Sequence, residues 1–137
     1  MAALLAALAL VAAGCGGGSS GATEETTAAA ASAVTLVSPE DAHRLVEEGD
    51  VEVIDVRTPG EFAEGHIEGA TLIDFYEPDF ADRIAELDRE TEYVVYCRSG
   101  NRSGQATAMM ADQGFTAVDD VDGGIVAWEA AGLPVTR

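Results

Sequence analysis

Lysine is absent from this 137-residue chain, and its seven basic residues are all arginine against 25 acidic ones, for a formal net charge of −18. A surface of that sign repels nucleic-acid phosphates and anionic lipid headgroups, so neither is a partner recognised by charge. The acidity speaks of solubility and habitat rather than of a substrate, but it makes any local cluster of arginines stand out. Cysteine is scarce too. Cys15 lies in the leading segment and Cys97 deep in the chain, which is not a disulfide framework. Two cysteines and two histidines, His43 and His66, show no spacing of metal ligands. Neither a metal nor a cofactor is called for. Long hydrophobic runs are missing as well: the apolar stretch Ala2 to Gly14 falls short of the ~20 residues that a spanning helix needs.

That stretch does have the length of the apolar core of a signal peptide. It ends in Ala12-Ala13-Gly14-Cys15, which resembles a bacterial lipobox, with Ala12 where such motifs usually carry leucine. No lysine or arginine precedes Arg44, a gap that a start further upstream would fill. The resemblance implies cleavage after residue 14, lipidation of Cys15, and an extracytoplasmic protein anchored to the bacterial cell membrane by lipid alone. Secretion as a soluble or periplasmic protein is the other reading. Residues 15–33, rich in Gly, Ser, Thr and Ala, have no apolar period with which to build a core and are expected to be a flexible linker. Lipidation would leave Cys97 as the one free thiol, an oxidation liability outside the cytoplasm unless it has a task.

From residue 34 the texture becomes that of a folded domain, expected to run to 137. Val34 to Val37 reads as a strand, and Ser38-Pro39-Glu40-Asp41 as a helix start that Gly49 later ends. Val51 to Val56, Ala70 to Ile73, Glu92 to Tyr96 and Ala117 to Val121 read as further strands. Helical segments are expected at Glu61 to Glu64, Asp79 to Leu87, Ser103 to Gln113 and Ile125 to Ala130. Strands alternating with helices predict an open α/β layer fold, whose site lies outside the carboxyl ends of the strands. Cys97 is at such an end.

The segment Cys97-Arg98-Ser99-Gly100-Asn101-Arg102-Ser103 leads from a buried strand through a polar loop into a helix. Successive backbone N–H groups in such a loop can converge on an anion, and the helix adds the positive end of its dipole. Two of the seven arginines sit in the same loop. Together these features favour thiolate over thiol, and cysteines so placed fall from about 8.5 to roughly 3.5–7.5. The competing reading makes Cys97 a small buried hydrophobe beside a solvated turn. The strand–loop–helix position with two arginines and a glycine favours the nucleophile.

Four segments carry a family resemblance: Asp55-Val56-Arg57-Thr58-Pro59-Gly60-Glu61-Phe62, Gly65-His66-Ile67-Glu68-Gly69-Ala70, the Cys97 loop, and Gly123-Gly124-Ile125-Val126-Ala127-Trp128 with Gly132-Leu133-Pro134-Val135. In this order they resemble a single-domain rhodanese, from about residue 34 to 135. The resemblance implies an open parallel five-stranded sheet with helices on both faces, and a ping-pong sulfur transfer. Cys97 would take a sulfane sulfur from a small anionic donor such as thiosulfate and pass it, as a persulfide, to a thiol or to cyanide. A protein could serve as donor or acceptor. Arg98 and Arg102 would attract the donor, Ser99, Gly100 and Asn101 would supply the cradle backbone, and Gly100 would permit its turn. Arg57 and Glu61 are expected to pair, Asp55 to lie near the active loop, and His66 and Trp128 to be structural.

Two rivals remain in view. A cysteine-dependent phosphatase uses the same strand–loop–helix logic, but places its arginine six positions after the cysteine; Arg102 is five after Cys97. A binding module on the rhodanese fold needs no cysteine, whereas a persulfide carrier would keep it and cannot be told from an enzyme by sequence.

Overall fold

The computed structural model describes residues 32–137. The leader, Cys15 and nearly all of the linker lie outside the described residues. Ten elements alternate along the chain: β1 (Val34–Val37), α1 (Pro39–Glu48), β2 (Val51–Asp55), α2 (Pro59–Glu64), β3 (Thr71–Leu72), α3 (Phe80–Ala85), β4 (Glu92–Tyr96), α4 (Asn101–Asp112), β5 (Ala117–Val121) and α5 (Gly124–Ala130). The strands form one sheet in the order β1-β5-β4-β2-β3, every pairing parallel. The open five-stranded α/β architecture expected from the sequence is therefore present: β1, β4 and β5 have the expected bounds, and other element ends differ by one to two residues at most.

Local chemistry explains the elements. Ser38 caps α1 by accepting the Asp41 N–H at 3.1 Å, Pro39 occupies the first turn, and Gly49 closes the helix at φ +81°. Thr58 and Glu61 form a capping box on α2, each side chain accepting a backbone N–H of the other. Strand β4 lies mid-sheet with Tyr93 to Tyr96 at 0–1% exposure, which is why its sequence is continuously apolar rather than alternating. Beneath α3 and α4 the core holds Ile54, Val56, Ile84, Val95, Ala106 and Met110. On the opposite face, under α1 and α5, it holds Ala42, Val53, Val94, Val121, Ile125 and Trp128. Each valine, isoleucine or methionine so buried contributes roughly 1.5–3 kcal/mol.

Strand β5 departs from this pattern. It is interior and largely buried, yet its centre is Asp119-Asp120, at 8% and 6% exposure. Sheet order sets the carboxyl ends of β2, β4 and β5 side by side, and the chain leaves each of them into a motif segment: Arg57 to Glu61, the Cys97 loop, and Gly123-Gly124.

Candidate active site

Cys97 follows β4 directly and is 1% exposed. Its side chain points to the α3/α4 face, because it belongs to the same core cluster as Val95 two residues earlier. The Gly100 N–H donates to Cys97 Sγ at 3.1 Å. Gly100 adopts φ +99°, in the left-handed region, and this turns its N–H back onto the sulfur. Burial alone pushes the thiol up, but Ser103, through both side chain and backbone, and the backbone N–H groups of Ser99 and Gly100 outweigh it. The net effect holds the Cys97 thiol below its ordinary value. Helix α4 begins at Asn101, two residues before the start predicted from sequence, so Asn101, Arg102 and Ser103 form its first turn under the sulfur.

The loop is held from behind by α5. The Ile125 N–H donates to the Cys97 carbonyl at 2.9 Å and the Val126 N–H to the Arg98 carbonyl at 3.2 Å. Fixing those two carbonyls outward leaves the next N–H groups aimed inward at sulfur. The approach depends on Gly124, at φ +60°: a Cβ there would lie 2.5 Å from the Cys97 carbonyl oxygen and 2.7 Å from the Arg98 carbonyl. Sequence reasoning noted the Gly123-Gly124 pair without seeing this role, since its partner lies 27 positions upstream.

The two loop arginines are used differently. Arg98 is exposed and borders a cleft of about 250 Å³ with Glu64, Gly65, Ile125, Val126 and Glu129. Arg102 instead turns to α2 and grips Glu61 with both terminal nitrogens, at 2.8 and 2.7 Å, with its guanidinium carbon 5.5 Å from the centroid of the Tyr76 ring. That grip lowers the Glu61 carboxyl to about 2. The expected Arg57–Glu61 pair is thus replaced. Arg57 is buried against Asp55, with Nη2–Oδ2 at 2.7 Å, and also donates from Nη2 to the Gly65 carbonyl at 2.7 Å. Two residues apart at the end of β2, Asp55 and Arg57 fold into one turn that also takes the Arg57 N–H onto Oδ1. Glu61, on the next helix, is left to face the Cys97 loop.

The remaining motif residues hold structure. His66 Nδ1 lies 2.9 Å from the Phe62 carbonyl and its ring stacks on Phe62 at 3.7 Å. Trp128 is core, its Nε1 donating to the Pro134 carbonyl at 2.9 Å. Ser99 and Asn101 are exposed beside the cradle, and the Asn101 side chain accepts from Gln105 at 3.0 Å, away from the sulfur. Ser103 was not anticipated as more than a helix start. It is fully buried beside Cys97, and a Cys-to-Ser spacing of six with a helix beginning in between was the available signal.

A buried cysteine whose thiol is held below its ordinary value, at the carboxyl end of a central parallel strand, places this chain among open α/β proteins with a cysteine loop at the sheet's carboxyl edge. The model of the rhodanese-like domain matches residues 38–131, and the chain belongs to that family. It is 42% identical over 94 residues to the thiosulfate sulfurtransferase GlpE of Pseudomonas aeruginosa, covering 69% of this chain and 83% of that one. A sulfurtransferase of Allochromatium vinosum is 39% identical over 94 residues, covering 69% and 86%. Among solved structures, a rhodanese-related protein of Thermoplasma volcanium is similar with a TM-score of 0.66 and 30% identity, over 73% of this chain and 95% of that one. The relatives make sulfur transfer the general activity of this kind of domain.

Proposed function

We propose that the protein is a sulfurtransferase that carries a sulfane sulfur as a persulfide on Cys97, with thiosulfate as a competent donor. The Gly100 N–H on Cys97 Sγ at 3.1 Å carries the reading, because a donor so placed stabilises an anion on that sulfur. In the first half-reaction the Cys97 thiolate attacks the outer sulfur of thiosulfate. A sulfur–sulfur bond forms, the old one breaks, and sulfite leaves with the electron pair. In the second, cyanide or an acceptor thiolate attacks the outer sulfur of the persulfide, and Cys97 departs as thiolate. The loop N–H groups hold the charge in both resting forms, and the exposed Arg98 meets the incoming anion. Arg102 positions the loop from its pairing with Glu61 rather than acting as a free anion clamp, which also argues against phosphate ester chemistry. The lipobox-like leader supports action outside the cytoplasm, on a lipid anchor at Cys15.

The test is thiocyanate formation from thiosulfate and cyanide, together with the intact mass of the protein. Thiosulfate alone should add the mass of one sulfur atom, cyanide should remove it, and Cys97→Ser should lose at least about 10³-fold in rate and show no added sulfur. If the wild-type protein with reduced Cys97 gives neither thiocyanate nor a mass gain, the thiosulfate reading fails. A carrier loaded by a partner protein would then be the better account.

A further inference from the structure

Asp120 lies on β5, on the same side of the strand as Val118, and so faces α4 in the layer that also holds Cys97. It is 6% exposed, and its Oδ2 comes within 3.7 Å of where a Cβ on Gly104 would be, one residue from Ser103. Ser103, next to Gly104 on α4, is fully buried, and its hydroxyl weighs on the ionisation of both Cys97 and Asp120, lowering each. Yet Ser103 Oγ and Asp120 Oδ1 both lack a well-aligned hydrogen-bond partner among the described residues. Two adjacent, buried, unpartnered polar groups cost free energy unless a shared proton joins them.

We propose that Asp120 is a positioning residue for Cys97, acting through Ser103: the Ser103 hydroxyl has one proton to give, and while the Asp120 carboxyl is protonated that proton is free to turn onto the Cys97 sulfur. The inference rests on Cys97 being the reactive thiolate. When Asp120 ionises, its carboxylate captures the Ser103 hydroxyl, so the sulfur loses that donor and faces a second anion behind it. Burial keeps the carboxyl above its ordinary range, with Asp122 adding to the push and Ser103 opposing it. Each neighbouring element supplies a group to this balance. Asp122, just past β5, is a second anion; Ser103 on α4 is the bridge; Arg102 on α4 bears on Cys97 but is held by Glu61. On β1 the partner of Asp120 is the apolar Leu36. On the opposite side of β5, Asp119 stands against Glu92.

The experiment is the pH dependence of iodoacetamide alkylation, followed by mass spectrometry on the Cys97 peptide of the full chain. Asp120→Asn is permanently neutral and keeps an N–H donor for Ser103. It should lower the apparent Cys97 pKa by roughly one pH unit. Ser103→Ala should raise it and should abolish the effect of Asp120→Asn in the double variant. A shift below about 0.2 pH unit in folded Asp120→Asn would overturn the proposal. So would an unchanged shift in the Ser103→Ala background, which would mean direct charge repulsion. If Asp120→Asn fails to fold, Asp120→Ser is titrated in its place and must give the same downward shift. Alkylation needs no sulfur donor, so the result stands apart from whether thiosulfate is used.

Discussion

The end of β4 and the middle of β5 face the same physical problem and solve it in opposite ways. Both bury groups that can become anions: Cys97 at 1% exposure, Asp119 and Asp120 at 8% and 6%. At Cys97 the chain turns through a left-handed glycine, a helix begins, and N–H groups converge, so the buried sulfur is pulled toward its anion. On β5 the backbone N–H groups run along the sheet and are spent on β-pairing, so the two side chains are pushed toward their neutral forms. Asp119 reaches about 6, first through burial and then through Glu92 on the neighbouring strand. Burial alone therefore does not decide the charge of an interior group. The direction of the nearest unspent N–H does.

The comparison breaks hardest at Gly124. Gly124→Ala places a Cβ on the Cys97 and Arg98 carbonyls and forces an alanine to φ +60°, which should cost about 2–4 kcal/mol of stability. Because the collision is with the cradle itself, the loop N–H groups should lose their aim. The Cys97 pKa should rise and thiocyanate formation should fall by about tenfold or more, measured beside the unfolding midpoint. If alanine lowers stability while the Cys97 titration stays unmoved, the cradle does not depend on α5.

A smaller change sharpens the other side. A carboxyl raised from 3.8 to about 6 in the folded state destabilises the fold once the unfolded chain ionises. Stability should accordingly decline from about pH 4 to about pH 6 and level off above. Asp119→Asn removes this penalty and should add on the order of 1–3 kcal/mol at pH 7.5, with little effect at pH 4. Urea unfolding at the two pH values checks it, and an equal effect at both would point to packing rather than charge.

The smallest effect is expected at α2. Glu61→Gln leaves the capping contact but frees the charge of Arg102 near the sulfur. Stability above pH 5 should drop by about 1 kcal/mol. This advantage of the wild-type protein is complete above the unfolded carboxyl value and fades as pH falls toward about 2. The Cys97 alkylation curve should move downward by a few tenths of a pH unit at most, since the added cation is partly solvated.

How much of this was legible beforehand follows from where each contact lies along the chain. The Ser38 cap, the β4 run and the Cys97 loop are local, and their residues announce themselves by spacing and type. The fold followed from the alternation of such segments. The pairing of charges did not: Arg57 and Glu61 are near neighbours in sequence, but Asp55 lies within the same turn and Arg102, 41 positions from Glu61, arrives from α4. Nor did the buried pair on β5, since nothing local in two consecutive acids tells of burial, which comes from the sheet order that puts β1 and β4 on either side.

The hydrogen bonds from Ile125 and Val126 to the carbonyls of Cys97 and Arg98 give the site a direction in time. Cys97 leaves a ribosome well before Gly124 does, so the thiol and the N–H groups around it are made before the helix that holds their loop from behind. The loop gains that support only when the last helix docks, and a chain cut short before residue 124 should carry the sulfur in a loop left without its backing.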